Sequence, residues 1–245
     1  MANTFFQFKE FRIEQEQGAM KVTTDACLLG AWTAACIQPA QSSAEHPIQV
    51  LDIGTGTGLL ALMLAQAVNA SIDAIEIEPR AAEQAAFNVN ASKWKNRIRV
   101  LNTDIRTYEP GGLYDVIISN PPFYENDLRS GQNEKNMAFH DSSLSLSNLF
   151  SAFEHHLSTR GNVYLLLPYK RKGEAELLLG SHGLSISQLV IVRPTKDHEP
   201  FRLLIAAGKG QQHGIFPIEN HSIRDSQNNY TSWFSHLLRP YYLYL

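Results

Sequence analysis

Residues 48–59, Ile-Gln-Val-Leu-Asp-Ile-Gly-Thr-Gly-Thr-Gly-Leu, restrict the possible folds more than any other stretch. Ile48–Ile53 is a short β-branched apolar run and reads as a buried strand. Leu59–Val68 reads as a helix. Between them, Gly54, Gly56 and Gly58 permit a tight turn and let the backbone pass close to a ligand. The alternation continues downstream. Strands are expected at Ser71–Ile77, Ile98–Thr103, Asp115–Ser119 and Gly161–Leu167. Helices are expected at Arg80–Ala91, Leu146–His156 and Lys172–His182. Strands that alternate with helices imply an α/β fold with a mostly parallel, doubly wound sheet. Two late strands, Ser185–Val192 and Leu203–Ala207, are joined by the ten-residue stretch Arg193–Arg202, which has no helical pattern. They are expected to pair antiparallel.

The chain's 245 residues fit one domain. Its net charge of −3 gives no global basic field, so nucleic-acid binding would need a local patch. Two cysteines, Cys27 and Cys36, are too few for a disulfide framework and fit a reducing compartment. The N-terminus has no basic segment followed by an apolar one, and no run reaches the roughly 18 apolar residues of a membrane span. A cytoplasmic protein without a membrane partner is expected. The histidines are scattered, and His155 and His156 point to opposite sides of their helix, so no metal site is expected.

Before the first core strand, residues 5–21 alternate aromatic and polar side chains and suggest a hairpin or lid. Thr23 or Thr24 then caps a helix through Trp32, and 38–47 is a polar connector.

The first strand and turn also select a cofactor. An acid about 20 residues beyond the glycines, at the end of the next strand, can accept both hydroxyls of a ribose, and Glu76 stands there. Asp52, immediately before Ile53 and Gly54, would repel a pyrophosphate but suits a cationic amino-acid tail. No Lys or Arg lies in the turn. S-adenosylmethionine meets these demands better than NAD. Glu78, just before Pro79, is read instead as a helix cap.

The run Asp115–Ser119 ends in Asn120-Pro121-Pro122-Phe123-Tyr124. Two prolines cannot continue a central strand, because neither donates an N–H and each locks φ. The chain therefore leaves the sheet at Asn120, at the carboxyl end of a strand, where open α/β sheets bind ligands. Asn120 offers a side-chain carbonyl and Pro121 a backbone carbonyl. Both can accept hydrogen bonds from an amino group, while Phe123 can stack on a planar ring. An exocyclic amine is a poor nucleophile because its lone pair is delocalised. Two such acceptors would fix the nitrogen and favour its pyramidalisation.

Asn120-Pro121-Pro122-Phe123 resembles the motif of S-adenosylmethionine-dependent methyltransferases that act on planar amino or amide nitrogens. The resemblance implies a Rossmann-like class I methyltransferase: a seven-stranded, mostly parallel sheet with an antiparallel last strand and helices on both faces. It implies that Asp104 accepts from adenine N6 of the cofactor and that Ile105 packs on the ring. Two further stretches narrow it. Phe8-Lys9-Glu10-Phe11 with Met20-Lys21-Val22-Thr23-Thr24-Asp25-Ala26-Cys27-Leu28-Leu29-Gly30-Ala31-Trp32 is similar to the N-terminal signature of the bacterial tRNA (adenine-N6)-methyltransferases that modify adenosine 37 of valine tRNA. The tail, Ile223-Arg224-Asp225 with Tyr230-Thr231, Leu237-Leu238 and Tyr241-Tyr242-Leu243, is similar to that family's ending.

The resemblance implies one methyltransferase domain over 1–245. It comprises a lid and helix at 1–47, a catalytic core at 48–210 and a C-terminal extension at 211–245. It implies that Lys21, Thr24 and Asp25 line or cover the cofactor pocket; a helix cap with a solvated lysine is the equal alternative. It implies tRNA as partner, approached at its anticodon loop, and a monomer is expected. One departure stands out: Ala138-Phe139-His140 occupies the place of an Ala-Arg-His triplet. Candidate RNA contacts are Lys9 with Arg12; Lys93, Lys95, Arg97 and Arg99 around Trp94; Lys170, Arg171 and Lys172; and Arg193, Lys196, His198 and Arg202. Other readings are an rRNA guanine-N2 methyltransferase, a glutamine methyltransferase of release factors and a non-catalytic RNA-binding scaffold. Only about 47 residues precede the first core strand, too few for the separate helical domain of the glutamine enzymes.

Overall fold

The computed structural model describes residues 4–16, 21–41, 46–122, 144–210 and 216–245, with 38–41 as backbone only. The N-terminal stretch folds as a hairpin, β1 (Phe5–Gln7) against β2 (Arg12–Glu14), and leads to helix α1 (Thr24–Gln41). The core then alternates: β3 (Ile48–Ile53), α2 (Leu59–Ala67), β4 (Ala70–Glu76), α3 (Pro79–Asn90), β5 (Ile98–Asn102) and β6 (Tyr114–Ser119). It continues with α4 (Leu146–His156), β7 (Leu157–Pro168), α5 (Lys172–Ser181), β8 (Leu184–Thr195) and β9 (Arg202–Lys209). The extension supplies β10 (Ile218–Arg224) and α6 (Ser232–Leu238).

One sheet has the order β10-β8-β9-β7-β6-β3-β4-β5. β9 runs antiparallel to both neighbours, and every other pairing is parallel. The expected antiparallel pairing of the two late strands holds. The strand count differs from the sequence reading: the described sheet has eight strands, not seven. The added β10 sits on the edge beside β8, and its sequence, Ile-Glu-Asn-His-Ser-Ile-Arg, has no apolar alternation. An edge strand is partly wet on both faces, and polar residues there discourage pairing with other chains, so it carries little periodic signal. Helix α1 also outruns expectation, passing through Pro39 to Gln41. Proline's φ is compatible with a helix, so in the last turn it removes one hydrogen bond without ending the helical path.

Successive strand residues point to opposite faces, and the core divides accordingly. Val50, Ile72, Ala74, Val116 and Ile118 pack under α1 and α2. Leu51, Ile53, Ile75 and Ile117 pack with Phe150 and Phe153 of α4 and Leu179 of α5. The first face also buries both chain ends: Phe8, Phe11 and Ile13 of the hairpin with Phe234, Leu238 and Tyr241 of the tail. The ends pair directly. Phe8 bridges Tyr242, the Lys9 N–H donates to the Tyr241 carbonyl at 2.8 Å, and Lys9 Nζ donates to the Arg239 carbonyl at 2.6 Å. Two segments far apart in sequence thus form one structural unit on α1 and α2.

Candidate active site

The register of the sheet gathers the site. Ser119 is level with Ile53, Ile53 with Ile75, and Glu76 with Asn102. Strands β6, β3, β4 and β5 therefore end side by side, and Asn120, the glycine turn, Glu76 and Asp104 leave the sheet along one edge. At roughly 4.8 Å per strand, that edge spans about 14 Å. Ser119 Oγ donates to the Ile53 carbonyl at 2.8 Å and locks the ends of β6 and β3 together.

Gly54, Gly56 and Gly58 have φ of 74°, 57° and 80°. Side chains rarely adopt such values, which is why the turn uses glycine. The Gly54 and Thr55 N–H groups both donate to the Ile75 carbonyl, at 2.9 Å each, folding the turn over the end of β4. Below it, Asp52 is fully buried. Its Oδ2 accepts from Thr55 Oγ1 at 2.6 Å. Burial pushes its carboxyl up to about 7; the Thr55 hydroxyl and the Ala61 N–H oppose the rise, and the Glu76 charge adds to it. Among the described residues, four buried side-chain polar atoms lack a hydrogen-bond partner, and Asp52 Oδ1 and Asn120 Oδ1 are two of them. Buried acceptors are nearly always satisfied. Two orphans at one strand edge therefore suit donors from outside the chain.

Glu76 Oε2 accepts from the Gly56 N–H at 2.9 Å and Oε1 from the Glu78 N–H at 3.0 Å. It braces the turn, and each oxygen keeps a second lone pair for a ligand. Glu78 caps α3, accepting from the Arg80 and Ala81 N–H groups, as its place before Pro79 suggests. Asp104 is clamped by Arg106: Nε lies 3.0 Å from Oδ1 and Nη2 2.6 Å from Oδ2. This pairing holds the Asp104 carboxyl below its ordinary value. Ile105 is buried, leaving little open surface for a ring. Pro121 is buried and Pro122 exposed. Phe123, and Ala138-Phe139-His140, lie outside the described residues.

The N-terminal candidates separate. Thr23 caps α1, with its Oγ1 accepting from the Ala26 N–H at 3.4 Å. Lys21 and Thr24 are exposed. Asp25 Oδ2 accepts from Arg202 Nε at 2.6 Å, tying α1 to the start of β9.

Sequence reasoning passed over four supporting residues. Thr55 and Ser119 bond to Asp52 and Ile53 as described, and Asn102 Nδ2 donates to the carbonyls of Glu76 and Ile77. Ile77 is 46% exposed beside Glu76. Polar residues at strand ends and one apolar residue after an acid have no signature in a linear pattern. Among the described residues, no three His, Cys, Asp or Glu side chains group as metal ligands would. His156 is buried while His155 is exposed, matching their expected divergence.

A family model, the methyltransferase small domain, matches residues 37–176. The tRNA1(Val) (adenine(37)-N6)-methyltransferase of Parabacteroides distasonis is 37% identical over 99% of both chains. That of Cytophaga hutchinsonii is 36% identical over 100% of both. This chain belongs to the tRNA1(Val) (adenine(37)-N6)-methyltransferase family. The relatives span the whole chain, so the family includes the hairpin and tail as well as the core. More distant structures share the fold. A predicted O-methyltransferase from Agrobacterium tumefaciens superposes with a TM-score of 0.64 at 16% identity, covering 88% of this chain and 95% of its own. The ribosomal protein L11 methylase of Lactobacillus delbrueckii gives 0.53 at 18%, covering 79% and 82%.

For a member of this methyltransferase family, the basic clusters fare unequally. Arg97 caps the end of α2 through the Ala65 and Val68 carbonyls, and Arg99 pairs with Asp73 at 2.8 Å. Trp94 is buried against Phe11 rather than presented to a base. Lys93 pairs with Glu10, Arg12 with Glu14, Arg171 with Glu174 and Lys172 with Glu176. Lys95, Lys170, Lys196 and His198 are exposed. Lys170, Lys196 and His198 follow the carboxyl ends of β7 and β8, on the same sheet edge as Asn120. Among the described residues, no helix is long and apolar enough to cross a membrane.

Proposed function

We propose that this chain transfers a methyl group from S-adenosylmethionine to the exocyclic N6 of an adenine in tRNA, at adenosine 37 of valine tRNA as its relatives are named. The observation that carries this reading is the buried, unpartnered Asn120 Oδ1 at the end of β6. It calls for an N–H donor, and it stands one strand away from the glycine turn.

The chain's residues fit the cofactor. Asp52 Oδ1, buried and unpartnered, calls for a cation or donor, and the α-ammonium of S-adenosylmethionine is one. The free lone pairs of Glu76 suit the ribose hydroxyls. Asp104 suits adenine N6, sharing its oxygens with Arg106. Ile77, more open than Ile105, adds apolar surface for the ring. Gly54, Gly56 and Gly58 keep side chains out of the way, and Lys21, Thr24 and Asp25 belong to the rim. When bound, the cofactor supplies a sulfonium methyl, which already has an excellent leaving group.

The protein's work is to present the acceptor. Asn120 Oδ1 and the Pro121 carbonyl accept the two N–H groups of the amine and turn its lone pair toward the methyl. Phe123 stacks on the base, and such contacts are worth about 1–3 kcal/mol. Alignment of this kind supplies at most about 7–11 kcal/mol. No strong general base is needed, since the nitrogen sheds its proton to water once methylated. The target adenine must sit in a loop or be unstacked, which suits an anticodon loop. The same reading puts the protein in the cytoplasm as a monomer, and light scattering on a sizing column would give the mass of one chain.

The test is incubation with tritiated S-adenosylmethionine and separate pools of unmodified tRNA, rRNA and release factor, then digestion to nucleosides. N6-methyladenosine from tRNA alone is expected. N2-methylguanosine from rRNA, or label in protein, would reject the acceptor. No incorporation anywhere would reject the activity.

A further inference from the structure

Asn88 lies on α3, away from the strand ends, and is 1% exposed. Its carboxamide joins three segments. Oδ1 accepts from the Glu14 N–H at 2.9 Å, while Nδ2 donates to the Glu14 carbonyl at 2.9 Å and to the Thr57 carbonyl at 2.9 Å. Glu14 ends β2 of the hairpin, and Thr57 lies between Gly56 and Gly58 of the glycine turn. Toward Glu14, Asn88 behaves as a neighbouring strand would, matching one donor and one acceptor. Its second amide hydrogen is left for the turn.

We infer that Asn88 is a positioning residue that couples the N-terminal hairpin to the cofactor-binding turn, so that docking of the hairpin and binding of S-adenosylmethionine reinforce each other. This rests on reading the turn as the cofactor site.

The turn is a poor structure by itself. Its three glycines have positive φ and many accessible conformations when unrestrained. The Ile75 carbonyl holds its start, and three side chains hold the rest: Asp52 Oδ2 accepts from the Thr55 hydroxyl, Glu76 Oε2 accepts from the Gly56 N–H, and Asn88 Nδ2 donates to the Thr57 carbonyl. Asp52 and Glu76 are themselves proposed ligand groups, so Asn88 is a side-chain restraint on the turn that does not also touch the cofactor. A loop ordered before binding loses less freedom on binding, and affinity rises accordingly. The restraint reaches further along the chain. Next to Glu14, the Gln15 side chain accepts from the Val22 N–H at 2.9 Å, tying the end of the hairpin to the residues just before α1. Turn, α3, hairpin and the entry to α1 are thus linked by consecutive hydrogen bonds through buried and part-buried groups. Coupling of this kind is reciprocal: whatever orders the turn must also order the hairpin.

The experiment compares wild type, Asn88→Ala, Asn88→Asp and Leu179→Ala. Leu179→Ala is the control, because Leu179 of α5 is buried in the core on the opposite face of the sheet from the hairpin. S-adenosylhomocysteine binding is measured by calorimetry well below each melting point, and amide exchange of residues 12–16 is followed with and without that ligand. Both Asn88 variants should weaken binding roughly tenfold, or about 1.4 kcal/mol. Asn88→Asp keeps the acceptor for Glu14 but loses both donated hydrogens. Leu179→Ala should stay within twofold despite its lower melting point. In wild type, the ligand should slow exchange at Glu14. The inference is overturned if the Asn88 variants bind within twofold of wild type, or if Leu179→Ala weakens binding equally. Should the Asn88 variants not fold, unchanged exchange at Glu14 in liganded wild type overturns it alone. A wild type that binds no S-adenosylhomocysteine refutes the cofactor reading as well; binding that ignores Asn88 refutes only the coupling.

Discussion

Replacing Asp52 by asparagine should make the cofactor-free protein more stable, and the gain should grow with pH. Asp52 is fully buried, and its carboxyl is raised from an ordinary 3.8 to about 7. At 1.36 kcal/mol per tenfold change, that difference corresponds to about 4 kcal/mol of preference for the neutral form. The folded value lies above the unfolded one. The stabilising contribution of the neutral acid is therefore complete below pH 3.8 and is lost as pH rises toward about 7. Above that, the folded protein carries an ionised carboxylate whose Oδ1 has no partner. The Asp52→Asn variant keeps an oxygen for the Thr55 hydroxyl and never ionises. Urea unfolding of both proteins at pH 5, 6, 7 and 8 gives the difference directly, because every other titrating group is shared. The stability gap should widen by on the order of 2–3 kcal/mol between pH 5 and pH 7 and then level off. Binding should show the opposite preference. The ionised acid attracts the α-ammonium, so wild-type affinity for S-adenosylmethionine should rise with pH up to about 7. The Asp52→Asn variant should bind weakly with a flat profile over that range. A stability gap independent of pH would refute the assignment of a buried, ionisable carboxylate with one unpartnered oxygen at the proposed cofactor edge.

Three further outcomes are expected. Asn120→Ala should cut methyl transfer by on the order of 10²–10³, the usual loss for one transition-state hydrogen bond, while cofactor affinity stays within a few-fold; surviving turnover would reject the acceptor role. Arg106→Ala should tighten cofactor binding a few-fold in calorimetry, because it releases the Asp104 oxygens for adenine N6, and weaker binding would place Asp104 in a purely structural role. Tyr241, 2% exposed with its hydroxyl directed at the Met63 carbonyl, should cost about 3–5 kcal/mol when replaced by Ala; a loss below about 1 kcal/mol in urea unfolding would show that the tail unfolds separately.

The linear pattern determined much of this protein. Short β-branched runs alternating with helical ones specified a doubly wound sheet, because each element must bury one face or both. Glycines at a strand end, an acid before them and an acid at the next strand end marked the candidate ligand site. A double proline specified where β6 must stop. Each of these signals is local, set by backbone freedom and side-chain chemistry within a few residues. Tertiary structure decided what local chemistry leaves open. The wet edge strand β10 has no apolar period to announce it, so only its pairing with β8 defines it. Arg97, Arg99 and Arg202 look like surface cations in the sequence, yet each is engaged by a carbonyl or carboxylate supplied from a distant segment. Nothing near Asn88 in sequence points to Glu14 or Thr57, which lie 74 and 31 residues away. Such roles depend on long-range contacts, and a buried carboxamide acquires its partners only when the chain has folded around it.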